Sequence, residues 1–341
     1  MSRHQGAGGL THAYATCFDG RLSRELKSQG TPVYVLGDVR YSRPWTVWRA
    51  RRSLRSLVRM QRPDVLISHG PWCAGLLRGS VGQLPLVLWL HDPPHHGTGW
   101  VDRLARSCPW DRVLCNSRYT LGFLPGYLPN TSGHVVYCPI DLPESPRAKE
   151  ADRRVRTILL AARWEEHKGR MVLLDALKRL DDLPDWECVF TGEPQQPHEA
   201  RHQAAVRQRV RELALEHRIR WLGWVAEIGS EYAKASVLCQ PNVRPEPFGL
   251  TFVEALGHGT AVVASQLGAA GEIVDDPSLG ELVPPGDAAA LADALRRRLL
   301  ERETADLRMA RWRKAVSLCD PLERLNELGR ILQQPDRSPT R

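Results

Sequence analysis

Two consecutive parallel α/β domains are what this sequence predicts, and three observations predict them. Short apolar runs without polar alternation, such as Val65-Leu66-Ile67-Ser68 and Ala261-Val262-Val263-Ala264-Ser265, are of the kind buried on both faces of a parallel sheet. Between such runs lie longer stretches with helical periodicity. The alternation breaks once, at a polar segment from Pro143 to Arg153 that carries two prolines and no periodicity, and then resumes. A length of 341 residues gives room for two domains of ordinary size.

Composition narrows the partners. The hydrophobic share of 42% fits a globular protein, and Lys plus Arg exceed Asp plus Glu by 47 to 39, a formal charge of +8. That balance favours anions: phosphate groups, nucleic acid or anionic lipid. Eight cysteines are scattered at 17, 73, 108, 115, 138, 188, 239 and 319, without zinc spacing or a dense framework, so buried free thiols in a reducing compartment are expected. No apolar run is long enough to cross a bilayer and no signal peptide opens the chain. A cytoplasmic protein is expected, with peripheral contact at the inner membrane face left open.

The N-terminal domain is expected over residues 1–145. Its first loop, Gly6-Ala7-Gly8-Gly9, runs into a helix-like segment from Thr11 to Gln29. A glycine loop of this type normally leaves a strand, because strand–loop–helix is the unit that cradles phosphate. None precedes it here, so the domain is expected to lack its usual first strand; a flexible terminus is the alternative. Pro32 to Leu36 reads as a strand. Tyr41 to Arg62 reads as a basic amphipathic helix, with eight arginines between Arg40 and Arg62. Its Val47, Leu54, Leu57 and Val58 recur at helical spacing, while Arg51, Arg52, Arg55 and Arg59 fall mostly away from them. This face, with Trp45 and Trp48 near its start, is either solvated or a landing surface for anionic membrane. Strands at Val65–Ser68 and Leu84–Leu90 follow. The second ends at His91-Asp92-Pro93-Pro94-His95-His96, and His91 is the best placed histidine, because open sheets bind ligands beyond their strand C-termini. The adjacent His95 and His96 do not by themselves make a zinc site. Asp111–Cys115 is a strand, Ser117 caps a helix running through Leu121, and Val135–Tyr137 closes the set.

After a linker at 146–153, the second domain is expected over 154–306. The strand Thr157–Ala161 leads into a loop carrying Arg163, Glu165, Glu166 and Lys168 before a helix from Met171 to Arg179. Two cations in such a loop can clamp a diphosphate, or can simply face solvent. Then come a strand Trp186–Thr191, a long charged helix Ala200–His217, a strand Ile219–Gly223, a helix Glu227–Ala235 and a strand ending at Gln240. The stretch Val243 to Gly259 is the most informative part of the chain. Pro245 and Pro247 keep their neighbours out of a helix. Gly249 allows close approach, and Thr251 to Leu256 reads as the first turns of a helix. Glu246 falls on the loop and Glu254 in the first turn. Carboxylates accept hydrogen bonds from sugar hydroxyls, and a helix N-terminus suits phosphate; acids near a helix start are also ordinary construction. The strand Ala261–Ser265, a glycine-bearing exit at Gln266–Val274, an edge strand near Gly280 and a helix capped by Asp287 complete the domain. Terminal helices over 307–334 are expected to pack back on the N-terminal domain, and 335–341 to be a tail.

Glu246-Pro247-Phe248-Gly249-Leu250-Thr251-Phe252-Val253-Glu254, with Arg163, Lys168-Gly169 and the ending Gly280-Glu281-Leu282-Val283-Pro284-Pro285-Gly286-Asp287, resembles the retaining glycosyltransferases of family 4. The resemblance implies the GT-B fold: two Rossmann-like α/β domains facing across a cleft. It implies that Arg163 and Lys168 bind the donor diphosphate, that Glu246 holds hydroxyls of the transferred sugar, and that Glu254 holds the ribose. Phe248, Gly249, Leu250 and Thr251 would touch sugar and phosphate largely through backbone. His91 would approach the donor sugar from the other domain, and Gly8 and Gly9 would shape the donor and acceptor pocket. The catalytic set implied is His91, Arg163, Lys168 and Glu246. The substrate would be a nucleoside-diphosphate sugar, UDP slightly favoured over GDP, with no cofactor and no metal; no Asp-x-Asp motif occurs in the chain. The acceptor would be a sugar, lipid or metabolite hydroxyl. Two other readings are a sugar-nucleotide epimerase and a binding scaffold without turnover. Nucleic-acid binding ranks last, since the basic residues form no recognised reading motif.

Overall fold

A computed structural model describes residues 3–77, 79–94, 100–146 and 155–334. His95, His96, the tail 335–341 and most of the 146–153 stretch lie outside these residues. The chain divides into two units, Met1–Pro139 with Pro321–Arg341, and Ile140–Asp320. The division thus falls ahead of the polar stretch that the sequence singles out. Residues 140–146 belong to the second unit because they are bonded to it: Ile140 N–H donates to Cys319 O at 3.0 Å, and Trp312 Nε1–H to Pro143 O at 2.7 Å.

The first unit runs β1 (Tyr14–Thr16), α1 (Arg21–Ser28), β2 (Val33–Val35), α2 (Pro44–Gln61), β3 (Leu66–His69), α3 (Pro71–Leu77), β4 (Leu86–Leu90), α4 (Trp100–Arg106), β5 (Arg112–Cys115), α5 (Arg118–Leu121), α6 (Leu124–Tyr127) and β6 (Gly133–Val135). Strands β3-β4-β5-β6 make a parallel sheet, and β1-β2 a separate parallel pair. The stretch expected as one helix over Thr11–Gln29 therefore holds a three-residue strand ahead of a shorter helix. Tyr14 and Thr16 are good strand formers, and they pair with Val33 and Val35. The helix starts only after Gly20, whose N–H is accepted by Ser23 Oγ at 2.8 Å. Among the described residues no strand precedes the glycine loop. Ser117 does cap α5, its side chain accepting from Thr120 N–H.

The second unit runs β7 (Arg156–Ala161), α7 (Arg170–Lys178), β8 (Trp186–Thr191), α8 (Pro197–Glu212), β9 (Ile219–Gly223), α9 (Gly229–Lys234), β10 (Val237–Gln240), α10 (Leu250–Gly257), β11 (Ala261–Ser265), α11 (Ala270–Ile273), β12 (Gly280–Val283), α12 (Ala288–Leu300) and α13 (Ala305–Cys319). The last helix, α14 (Pro321–Gln333), returns to the first unit. Only α14 of the two terminal helices does so. There Leu325, Leu328 and Ile331 join Val87, Trp89, Leu114 and Val136 in one core. The long charged helix is shorter than its sequence suggests: it ends at Glu212, and Ala214 takes a left-handed conformation with φ 55°. Asp287 caps α12 by accepting from Ala289 and Ala290 N–H.

The six strands of this unit are ordered β12-β11-β10-β7-β8-β9, every pair parallel. From β7 the sheet grows one way through β8 and β9, and the other way from β10. The order reverses between β7 and β10, which opens a crevice beyond their C-terminal ends where open α/β sheets bind ligands. The loops leaving those two strands carry Arg163, Lys168, Glu246 and the start of α10.

Candidate functional site

The two loops are pressed together by backbone geometry. Gly169 has φ 74°, and a Cβ there would lie 1.8 Å from Pro241 O, so only glycine lets the Lys168 turn close on the exit of β10. Val243 N–H donates to His167 O at 2.9 Å across the same seam. Lys168 Nζ then reaches Glu246 Oε2 at 2.8 Å, and Asn242 Nδ2–H donates to that same oxygen at 2.8 Å. The backbone of Glu246 is fixed by the loop after β11: Ala269 N–H donates to Glu246 O at 2.8 Å, and Gly268 leaves room for this contact. A half-buried lysine–carboxylate pair on a rigid floor is the result.

Arg163 leaves the end of β7 toward solvent, paired with Glu165 at 2.5 Å, while His167 Nδ1 meets the other Glu165 oxygen at 3.0 Å. The backbone that presents Arg163 is held from below by Arg170. This guanidinium is fully buried and donates to Ala162 O at 2.6 Å and Arg163 O at 2.7 Å. It also stacks 4.1 Å from the Trp164 ring. Burial pushes its pKa down to about 9, so it still carries its charge at neutral pH. A cavity of about 240 Å³ lies against this loop, lined in part by Arg163, Thr191, Gly192, Trp224 and Ile228.

Gly249 caps α10 in a left-handed conformation with φ 98°, and no side chain caps the first turn. Phe248 and Phe252 are buried beneath, Thr251 is half-buried and Leu250 exposed. An uncapped, glycine-led helix start offers N–H groups to an anion. Glu254 corrects one expectation: it lies in the second turn, since α10 begins at Leu250 and has no acid in its first turn. There it accepts a hydrogen bond from the Tyr232 hydroxyl at 2.7 Å, and burial raises its pKa while that bond lowers it.

In the first unit, His91 follows β4 and His69 ends β3. His69 Nδ1 lies 2.8 Å from His91 Nε2, and the rings stack on each other and on Trp89. Asn116 Nδ2–H donates to His91 O at 2.7 Å. Solvent reaches His69, yet the protein packed around it and then the His91 ring lower its pKa; burial lowers that of His91 as well. The pair is neutral at neutral pH. Gly8 and Gly9 have φ 63° and 70° and lie against α14, where a Cβ on Gly8 would sit 2.3 Å from Leu325 O. Close packing thus accounts for Gly8.

Within the second unit the structure joins Lys168 directly to Glu246, and sets Arg163, Phe248, Gly249, Leu250, Thr251 and Glu254 on the loops and helix beyond β7 and β10. His91, Gly8 and Gly9 lie in the other unit. Sequence reasoning missed Asn242, Arg170, Tyr232 and His69. For His69 a signal existed, because it occupies a strand end by the same rule that selects His91. Among the described residues no group of three or more His, Cys, Asp or Glu side chains could hold a metal ion.

Known proteins resemble this chain in sequence and fold. The family described as Glycosyltransferase Family 4 matches residues 1–144, and that described as Glycosyl transferases group 1 matches residues 155–301. The lipopolysaccharide core biosynthesis mannosyltransferase LpsB of Rhizobium meliloti is 30% identical over 261 residues, covering 74% of this chain and 68% of that protein. The phosphatidyl-myo-inositol mannosyltransferase of Mycobacterium leprae is 39% identical over 158 residues, 45% of this chain. The match spans only 40% of that relative's length. Among solved structures, Anabaena HepE in complex with UDP and glucose superposes with a TM-score of 0.81 at 21% identity, covering 94% of this chain and 91% of that one. Sucrose-phosphate synthase of Thermosynechococcus elongatus gives 0.74 at 18% identity, covering 96% of each chain. At such identities the likeness is one of fold.

Proposed function

The chain belongs to glycosyltransferase family 4 and has the GT-B fold, and from that premise we propose that it is a retaining, metal-independent hexosyltransferase using a nucleoside-diphosphate sugar. The observation that carries this reading is the Lys168–Glu246 contact beside Arg163 and the uncapped start of α10. A diphosphate at this place meets two cations and a helix N-terminus. Glu246 accepts hydroxyls of the sugar and Glu254 those of the ribose. The bond from the anomeric carbon to the diphosphate breaks, the acceptor hydroxyl attacks on the same face, and its proton passes to the departing phosphate. The protein's part is to orient the two substrates and stabilise the leaving charge. UDP is the preferred nucleotide in this proposal, supported by UDP in the HepE complex. Mannosyl transfer by LpsB and the mycobacterial relative, as their names state it, supports a hexose.

We also assign peripheral lipid contact to α2. Trp45 and Trp48 are 60% and 63% exposed, and Arg52 lies 5.8 Å over the Trp48 ring. Arg59 is exposed on the same helix. Arg51 and Arg55 take part in packing, donating to Gly75 O at 2.6 Å and Gly79 O at 2.9 Å. Aromatic and basic side chains together suit an anionic interface.

Calorimetric titration with UDP, GDP and ADP tests the donor assignment. One of them is expected to bind, with affinity falling about 10-fold or more in Arg163→Ala, the loss typical of a hydrogen bond to a charged group. Folded protein that binds none of the three overturns it.

A further inference from the structure

We propose that Tyr232 is a positioning residue for Glu254: its hydrogen bond holds the carboxylate ready to accept both hydroxyls of a ribose, and so makes the site selective for ribonucleoside over 2′-deoxyribonucleoside diphosphates. This rests on Glu254 being the ribose contact of the function proposed above.

Tyr232 lies on α9, 1% exposed, and its O–H reaches Glu254 Oε2 at 2.7 Å. It is fixed at both ends. Thr260 Oγ1–H donates to Tyr232 O at 2.6 Å, and the phenol ring packs 5.7 Å from the ring of His258. His258 Nδ1 in turn lies 2.8 Å from Glu254 O. The peptide under the carboxylate and the carboxylate itself are therefore each tethered. An ionised carboxylate has about four acceptor sites on two oxygens. Tyr232 takes one on Oε2, and among the described residues no protein group donates to Oε1. Glu254 is half-buried, so the remaining acceptor sites are reachable. A free glutamate would lose rotamer entropy on binding a diol; here that ordering is already done.

The same bond governs the charge. Burial raises the pKa of Glu254, and the Tyr232 hydrogen bond opposes this. His258, the C-cap of the same helix, meets the Glu254 carbonyl. From α13, Arg308 and Arg311 donate to His258 O and Gly259 O. Tyr232 is thus the group whose hydrogen bond favours the ionised carboxylate against the effect of burial. Without its O–H only the raising influence remains, so Glu254 would hold its proton to higher pH. A protonated carboxyl cannot receive two hydroxyls as the ionised form does.

The test is calorimetry of UDP against 2′-deoxy-UDP, and GDP against 2′-deoxy-GDP, from acid to neutral pH, with wild type, Tyr232→Phe, Glu254→Gln and the double variant. Wild type should prefer the ribonucleotide by about 10-fold or more, as expected for a bond to a charged acceptor. Tyr232→Phe should keep its thermal midpoint near wild type, lose most of the preference, and lose affinity on the acid side at higher pH. In the Glu254→Gln background it should change the preference no further. Equal loss for both nucleotides with an unmoved pH profile would make Tyr232 a packing residue and overturn the proposal; so would an unchanged preference. A wild type that binds no nucleotide, or a Glu254→Gln that keeps the preference, would overturn the ribose assignment itself.

Discussion

Lys168 and Glu246 meet at 2.8 Å with 15% and 20% of their side chains exposed, so the pair is partly screened and neither charge is stranded. A lysine so placed has a second use. When the diphosphate departs, its charge grows, and a cation already fixed within reach stabilises that state more than the ground state. Lys168→Ala is therefore expected to lower kcat by about 100-fold or more, the scale of removing one oriented donor, with a smaller effect on KM. Steady-state rates with varied donor check this; a loss confined to KM would reduce Lys168 to a ground-state contact. The residues of this site differ in how far sequence could reach them. Glu246 and Glu254 stand on one short motif, and Lys168 is tied to Gly169 by a visible turn. Tyr232 and Asn242 carry no local mark. Tyr232 matters through a partner that only tertiary packing brings near, a carboxylate 22 positions away across α9 and α10, whereas Asn242 bonds Glu246 four positions on, within one loop. Arg170 falls just ahead of the helix expected from Met171 with no local mark of its role, and its burial depends on the packing of Trp164 above it.

At the scale of elements, local pattern predicted those whose faces are fully buried and failed where pairing decides. β4 and β11 are largely apolar runs, β7, β8 and β10 carry apolar stretches with few polar residues, and all five emerged nearly as expected. β1 did not, because its three residues are a strand only through β2, and the flanking residues have helical character. α2 was legible as a helix, but the function of its arginines was not. Arg51 and Arg55 bond backbone carbonyls of α3 and the turn after it, whereas Trp48, Arg52 and Arg59 face outward. The two sets should separate experimentally. Arg52→Glu with Arg59→Glu is expected to cut sedimentation with anionic vesicles by at least ~10-fold, since each basic residue near such a surface contributes about 1 kcal/mol. Arg51→Ala should instead lower the thermal midpoint. Wild-type binding to vesicles by the double reversal would leave α2 a solvated face.

For the whole molecule, the connectivity makes an asymmetric demand. The second unit is one continuous stretch, whereas the first is completed only by α14, which arrives after the entire second unit has been made. Leu325 and Leu328 are 1% exposed and Ile331 7%, all in one core with residues of β4 and β5. Burying three such side chains contributes roughly 5–9 kcal/mol, at about 1.5–3 kcal/mol each, which is comparable with the net stability of an ordinary domain. The glycine loop depends on the same helix, since Gly8 rests on Leu325 and Gly329 on Gly8. Deleting residues 321–341 should therefore unfold the first unit and leave the second standing. Calorimetric melting should lose one transition. The surviving one should still rise with the nucleotide that wild type binds, by the roughly 2.7 kcal/mol expected at a hundred times its Kd. Loss of both transitions would mean that the second unit needs the first in order to fold. Survival of both would mean that strands β3 to β6 find their core without α14, and the account of that core given by Leu325, Leu328 and Ile331 would be wrong.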